Sequence, residues 1–200
     1  MPTPSSSSEH TADSSVFRAA LRREKLAARM ALDEKTHAAL STRIERELDA
    51  LLAPLPPQVL AFCAPVRNEF DARPLAARLI ERGWRIAMPV VETDAAPMRF
   101  RAWTPASAMA SDRHGIPIPA ADIALVPTIV LLPLVAFDPR GFRLGYGGGY
   151  FDRTLAVLVP RPLAIGVGFA LGQTADIRPQ AHDMPLDATV TEVGMVRHGR

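Results

Sequence analysis

Pro133-Leu-Val-Ala-Phe-Asp-Pro-Arg-Gly-Phe-Arg-Leu-Gly-Tyr-Gly-Gly-Gly-Tyr-Phe-Asp-Arg153 is the stretch on which the reading of this chain turns. Four of the five residues from Gly145 to Gly149 are glycine. An apolar run, Ile129 to Phe137, leads in, and a segment with helical spacing, Tyr150 to Val159, leads out. A strand, a glycine loop and a helix start, in that order, form an anion-binding device. Glycine lets successive backbone N–H groups turn toward a phosphate, and the helix adds its free N–H groups and positive dipole end. Arg143 stands before the glycines, and Asp152 and Arg153 after them. A polyphosphate held with a magnesium ion needs that mixture of charges.

The two common nucleotide motifs do not fit. Gly145 and Gly147 open a Gly-x-Gly-x-x-Gly pattern, but Tyr150 stands at its third glycine. A Walker loop requires Gly-Lys-Ser/Thr, and Gly148-Gly149-Tyr150 stands instead. Neither a His-Glu-x-x-His pair nor a paired-cysteine spacing points to zinc, and no Gly-x-Ser-x-Gly elbow points to an esterase.

Outward from the loop the sequence alternates strand and helix signals. Val59 to Ala64, Trp84 to Val91, Ile129 to Val135 and Pro162 to Phe169 read as buried strands, and Ala188 to Val196 as a last one. Met98, Phe100 and Ala102 alternate with Arg99, Arg101 and Trp103, as on a half-exposed strand. Asp71 is placed to cap a helix holding Leu75, Leu79 and Ile80 that Gly83 closes. Ser107 to Ala121 reads as loop. Before the first strand lie two helices. The first starts at Ser14 or Ser15 and runs to about Leu32, with Phe17, Leu21 and Met30 on one side. The second is capped by Asp33 and carries Leu40, Ile44, Leu48 and Leu51 until Pro54. Arg18, Arg22 and Arg29 share a stripe of the first helix, a pattern that alone describes a solvated basic face. The expected fold is α/β: one three-layer αβα domain over residues 16–196 with a mostly parallel, Rossmann-like sheet. Residues 1–15, rich in Ser, Thr and Pro, read as a disordered tail.

Composition narrows the function classes. Hydrophobic residues make up 48% and charged residues 22% of the 200, and the net charge is only +2. Such a balance gives no nucleic-acid footprint. No apolar run reaches the length of a membrane span, since Pro127 and Pro133 interrupt Ile123 to Phe137. Only two of the basic residues are lysines, Lys25 and Lys35, so phosphate contacts must fall to arginine or backbone. Cys63 is the only cysteine, which excludes an internal disulfide and agrees with a reducing compartment.

The signature as a whole closely resembles that of the 5-formyltetrahydrofolate cyclo-ligase (5,10-methenyltetrahydrofolate synthetase) family. Arg18-Ala-Ala-Leu-Arg22 resembles the family's N-terminal basic element, and Asn68-Glu-Phe-Asp71 its acidic segment after the first strand. Gly115-Ile-Pro-Ile-Pro119 is similar to its Pro-rich loop, and His182-Asp-Met-Pro-Leu-Asp187 to its C-terminal Asp segment. The likeness runs from about Phe17 to Val193.

This resemblance implies a cytoplasmic, monomeric ligase that uses ATP and Mg2+ to cyclise 5-formyltetrahydrofolate, a reduced folate, without nucleic-acid or membrane partners. It implies that Arg18, Arg22, Arg143, Leu144, Gly145, Tyr146, Gly147, Gly148, Gly149 and Tyr150 bind ATP, and that Arg143 is also catalytic. Glu69 and Tyr150 would face the folate, and Asp152 and Asp183 would hold the metal. Two positions depart from the family pattern: Phe151 replaces a frequent tyrosine, and Ile118 a frequent polar residue. Asp138, before Pro139, reads as the start of a turn. Two other functions fit the same residues, namely ATP-dependent activation of a different small substrate and nucleotide sensing without catalysis.

Overall fold

The chain holds neither proline nor glycine between Pro4 and Pro54, and in a computed structural model residues 6–30 and 34–52 of this stretch form two helices. The structure describes residues 6–199. In chain order the elements are α1 (Ser6–Met30), α2 (Glu34–Leu52), β1 (Val59–Ala61), α3 (Arg73–Glu81), β2 (Arg85–Val90) and β3 (Arg99–Trp103). Then come β4 (Met109–Ser111), β5 (Pro117–Pro119), β6 (Ile129–Pro133), β7 (Ala136–Phe137), β8 (Arg143–Leu144) and α4 (Tyr150–Val157). The chain ends with β9 (Leu163–Val167), a 3-10 turn (Ala170–Gly172), β10 (Ala188–Thr191) and β11 (Gly194–Arg197).

The main sheet has seven strands in the order β11-β10-β9-β6-β1-β2-β3. Its five inner strands are parallel, and β3 and β11 close the edges as antiparallel partners of β2 and β10. Side chains alternate between two buried faces. Leu60, Phe62, Ile86, Met88, Ile129, Leu131, Ile165 and Val167 face one way, onto Ile44, Leu48 and Leu52 of α2 and Leu75 and Leu79 of α3. Ala61, Ala87, Val130, Leu132 and Ala164 face the other way, onto Leu155 of α4 together with Phe100 and Leu125. Burial on both faces is why these strands are continuous apolar runs. The three-layer mixed α/β architecture agrees with the expectation. Among the described residues no helix is long and apolar enough to cross a membrane.

Several expectations are corrected. The first helix begins at Ser6, not at Ser14 or Ser15, so residues 6–15 are helical where a disordered tail was expected; residues 1–5 of that tail lie outside the described residues. Ser, Thr and Asp lower helix propensity by tenths of a kcal/mol each without breaking a helix, and no breaker follows Pro4. Met30 is 56% exposed while Arg29 is buried, because α1 turns its arginine stripe toward the loops at the sheet's end. Asp33 does cap α2, accepting the Thr36 N–H at 2.8 Å. Asp71 does not cap α3; it sits one residue before the cap Ala72 and ion-pairs with Arg73, while Pro74 is the second residue of the helix. The loop expected over Ser107–Ala121 contains the β4–β5 hairpin, and the single last strand is the hairpin β10–β11. The glycine loop does not follow the central strand directly. The small hairpin β7–β8 intervenes and carries Arg143 to the loop's edge.

Candidate active site

Numbered along the chain, the five parallel strands run 2-1-3-4-5 across the sheet. The winding therefore reverses between β1 and β6, and in open α/β sheets ligands bind beyond the strand ends at such a point. The segment after β1 brings Glu69 there and the segment after β6 brings Leu134. The β8–α4 connection brings the glycines, and α1 joins all three.

The loop's backbone could not be built from other residues. Gly147 has φ 98° and Gly149, the residue before α4, has φ 63°. Both lie in the left-handed region where a side chain is strained. A Cβ on Gly149 would also fall 2.9 Å from the Arg153 guanidinium, which donates to the Gly148 carbonyl at 2.5 Å. The first-turn N–H groups of α4, which lack intrahelical partners, thus begin where the glycines end.

Two arginines of α1, Arg22 and Arg29, contact this loop, and Arg18 stands near Arg22. Arg22 Nε donates to the Gly145 carbonyl at 2.7 Å, with the guanidinium beside Gly147. Arg18 forms a two-bond pair with Asp183, at 2.6 and 3.2 Å, and donates to the Arg178 carbonyl at 3.2 Å. Partial burial and the charge of Arg18 both push the Arg22 pKa down. Two guanidinium groups crowded in this way are relieved by an anion. Arg29 is 4% exposed. It donates to the carbonyls of Arg67 and Leu134, both at 2.9 Å, and to the Tyr146 hydroxyl at 2.6 Å, with Glu69 Oε1 at 3.5 Å.

Arg143 lies behind the loop at 7% exposure. Its Nη1 donates to the Met184 carbonyl at 2.9 Å and its Nη2 to Asp152 Oδ1 at 3.2 Å. Burial lowers its pKa, and the charges of Asp152 and Asp183 work against that. The guanidinium is 5.9 Å from the Phe151 ring centroid, so Phe151 packs against it without a hydroxyl.

The two carboxylates expected to hold metal are engaged elsewhere. Asp183 accepts from Arg18 and from the Gln180 N–H at 2.7 Å. Burial raises its pKa, but these hydrogen bonds win and hold it below the ordinary value. Asp152 Oδ1 accepts from Arg143 and from the Met184 N–H at 2.9 Å. Among the described residues no three acidic, His or Cys side chains converge as a metal cage.

Glu69 is 7% exposed and accepts from the Tyr146 hydroxyl at 2.5 Å and from the Val66 N–H at 3.0 Å. Burial raises its pKa further than Tyr146, Val66, Arg29 and Arg67 lower it. Folded protein therefore holds this proton more tightly than unfolded chain. Its stabilising effect is full below the ordinary value of 4.5 and declines as pH rises through the raised folded value. Melting temperatures across mildly acidic pH should fall along this limb in the wild type and fall less in Glu69→Gln; parallel curves would contradict the assignment.

Tyr150, expected to face the folate with Glu69, does not share that residue's hydrogen bonds. Its hydroxyl donates to Asp94 at 3.3 Å and stands 3.3 Å from His114 Nε2, on the side of the β4–β5 turn. Leu144 is fully buried, so only its backbone can reach a ligand, and its carbonyl already accepts the Val135 N–H. Asp138 does form the expected turn, accepting the N–H groups of Arg140 and Phe142. Beyond Glu69, Ala64 and Pro65 open a cavity of 460 Å3 whose wall includes Met88, Trp103 and Pro117. A mostly apolar cavity of this size fits a flat heterocycle. The sequence reading assigned no role to Arg29, whose only signal was its place in the arginine stripe, nor to Asn68. Asn68 holds φ 61° and ties the loop to α1 through the Arg29 carbonyl at 3.0 Å.

Comparison with known proteins points to one family. A family profile described as the 5-formyltetrahydrofolate cyclo-ligase family covers residues 14–192. The 5-formyltetrahydrofolate cyclo-ligase of Escherichia coli (strain K12) is 32% identical over 147 residues, covering 68% of this chain and 81% of that protein. That of Mycoplasma pneumoniae is 29% identical over 179 residues, covering 86% and 97%. The NMR structure of Aquifex aeolicus 5,10-methenyltetrahydrofolate synthetase superposes with a TM-score of 0.78 at 28% identity, over 92% of this chain and 95% of that one.

Proposed function

The chain belongs to the 5-formyltetrahydrofolate cyclo-ligase family, and from that membership we propose that it converts 5-formyltetrahydrofolate and ATP into 5,10-methenyltetrahydrofolate, ADP and phosphate. The observation that carries the reading is that Arg22 binds the glycine loop at the sheet's switch point while Arg18 and Arg143, from two distant parts of the chain, are held side by side on Asp183 and Met184.

The formyl group on N5 is an amide, a poor electrophile whose oxygen is a poor leaving group. Transfer of the terminal phosphoryl group to that oxygen makes an iminium-like phosphate. N10 then attacks the carbon and gives up its proton, and phosphate leaves with the former formyl oxygen as the ring closes, the proton ending on the phosphate or in solvent. Little covalent work falls to the protein; it must align two substrates and neutralise charge. The loop 145–149 and the start of α4 would cradle the phosphates through N–H groups. Arg22 would hold the loop's shape from below. Arg143, fixed by the Met184 carbonyl and Asp152, would present its remaining N–H groups to the phosphoryl in flight. The pterin would lie in the 460 Å3 cavity against Met88 and Trp103, whose wall residues Ala64 and Pro65 lead into the segment that carries Glu69.

A magnesium ion would supply positive charge between the phosphate oxygens. Asp152 fits it, because its Oδ2 makes no hydrogen bond among the described residues. Asp183 fits less well, since Arg18 and Gln180 occupy both its oxygens. We assign Asp183 the task of holding α1 against the site. Asp152→Asn should raise the magnesium concentration needed for half-maximal rate roughly tenfold or more, the scale expected for a lost ligand contact. An unchanged magnesium titration would remove Asp152 from that role. The protein would work as a monomer in the cytoplasm, without nucleic-acid partners.

The direct test is the near-ultraviolet absorbance of the methenyl product from purified protein, substrate, ATP and magnesium. Folded protein that forms no product under those conditions would refute the reading.

A further inference from the structure

Between Leu144 and the start of α4 at Tyr150, only Tyr146 has a side chain larger than hydrogen. It is therefore the one side-chain handle by which the phosphate loop grips its surroundings. Its hydroxyl accepts from Arg29 Nη2 at 2.6 Å and donates to Glu69 Oε1 at 2.5 Å. The side chains of Arg29 and Glu69 are only 5% and 6% exposed. The Arg67 guanidinium lies 5.2 Å from the centroid of the Tyr146 ring. The other oxygen of Glu69 is held by the Val66 N–H, so the tyrosine hydroxyl governs where Oε1 points. Val66 directly follows Ala64 and Pro65, which line the cavity.

We infer that Tyr146 is a positioning residue that couples nucleotide binding at the glycine loop to the carboxylate of Glu69, so that each substrate tightens the site for the other. The inference rests on the cyclo-ligase reading above. Loop N–H groups must turn to meet a phosphate, and the glycines on both sides of Tyr146 permit that turn. Gly147, at φ 98°, is the neighbouring pivot. Any such turn moves the Tyr146 backbone, and the hydroxyl passes the movement to two buried charges. Tyr150 offers no such path, because its hydroxyl ends at the exposed Asp94. Coupling of this kind is reciprocal: a nucleotide that fixes the loop must improve folate affinity by the factor with which folate improves nucleotide affinity.

Tyr146→Phe tests it, keeping the ring against Arg67 and losing both hydrogen bonds. The dissociation constant of 5-formyltetrahydrofolate is measured with and without a non-hydrolysable ATP analogue and magnesium, beside the analogue's own affinity, a melting curve and wild-type turnover. In the wild type the analogue should tighten folate binding at least about fivefold. In Y146F that ratio should fall toward one, whatever the change in the analogue's own affinity. A merely structural role would weaken both ligands and leave the ratio unchanged. Turnover by the wild type with equal ratios in the two proteins, or with no coupling in either, overturns the inference alone. A folded wild type without turnover overturns the cyclo-ligase reading and this inference with it.

Discussion

Arg143→Ala should lower kcat by about 100- to 1,000-fold, the usual loss when one fixed donor to a developing charge is removed. The guanidinium is buried, and two fixed acceptors, the Met184 carbonyl and Asp152 Oδ1, orient it before any substrate arrives. A donor oriented in advance acts chiefly on the transition state, so the KM for ATP should move much less than kcat. Arg143→Lys should recover little, because an ammonium on a flexible stem cannot reproduce the planar fork that reaches both acceptors at once. The truncated protein should stay folded, since Asp152 keeps the Met184 N–H at 2.9 Å and remains partly open to solvent. Steady-state rates and a thermal melt on one preparation check both halves. A kcat within about tenfold of wild type would be too small a loss for a positioned phosphoryl donor and would remove Arg143 from catalysis.

Arg29→Met should have the largest effect on stability. Its side chain joins α1 to the ends of both switch-point strands through the Arg67 carbonyl, the Leu134 carbonyl, Tyr146 and Glu69. Methionine fills similar volume but leaves the buried Leu134 carbonyl and the partly buried Arg67 carbonyl without their donor, and a buried carboxylate without its cation. Breaking a buried pair from one side costs about 3–5 kcal/mol. For a chain of this size each kcal/mol moves Tm by about 2–4 °C, so a fall of roughly 6–20 °C is expected. Glu69 can escape part of this cost by taking up a proton. The loss should therefore be greater at pH 8 than near pH 5.5, and Arg29→Met combined with Glu69→Gln should cost less than the sum of the two. A Tm within about 2 °C of wild type at both pH values, corresponding to less than about 1 kcal/mol, would show that the cluster contributes little.

Much of the fold was legible in the chain because it depends on local facts. Positions 145–149 can follow their backbone path only as glycine where φ is positive, and that requirement belongs to the residues themselves. Ile129–Pro133 and Leu163–Val167 are buried on both faces, so they are unbroken apolar runs whatever surrounds them. Asp33 caps α2 with its own side chain, three residues from the N–H it accepts. Even the arginine stripe of α1 was visible as helical spacing.

What that stripe does was not visible, because solvated and buried faces of a helix have the same period. Only the packing of α1 across the carboxyl end of the sheet decides that Arg29 is buried and Met30 exposed. The same holds for the acidic residues. Asp152 and Asp183 are 31 positions apart and look like free ligands until folding sets Arg143 beside one and Arg18 beside the other. Glu69 and Tyr146 are 77 positions apart, and no local rule links them. Sequence by itself determined the glycine loop, most of the strands and helices and the family, since backbone freedom and hydrophobic period are properties of short segments. Tertiary structure alone decided which charges are paired, which are buried and which tyrosine meets Glu69, because pairing and desolvation exist only between segments brought together in space.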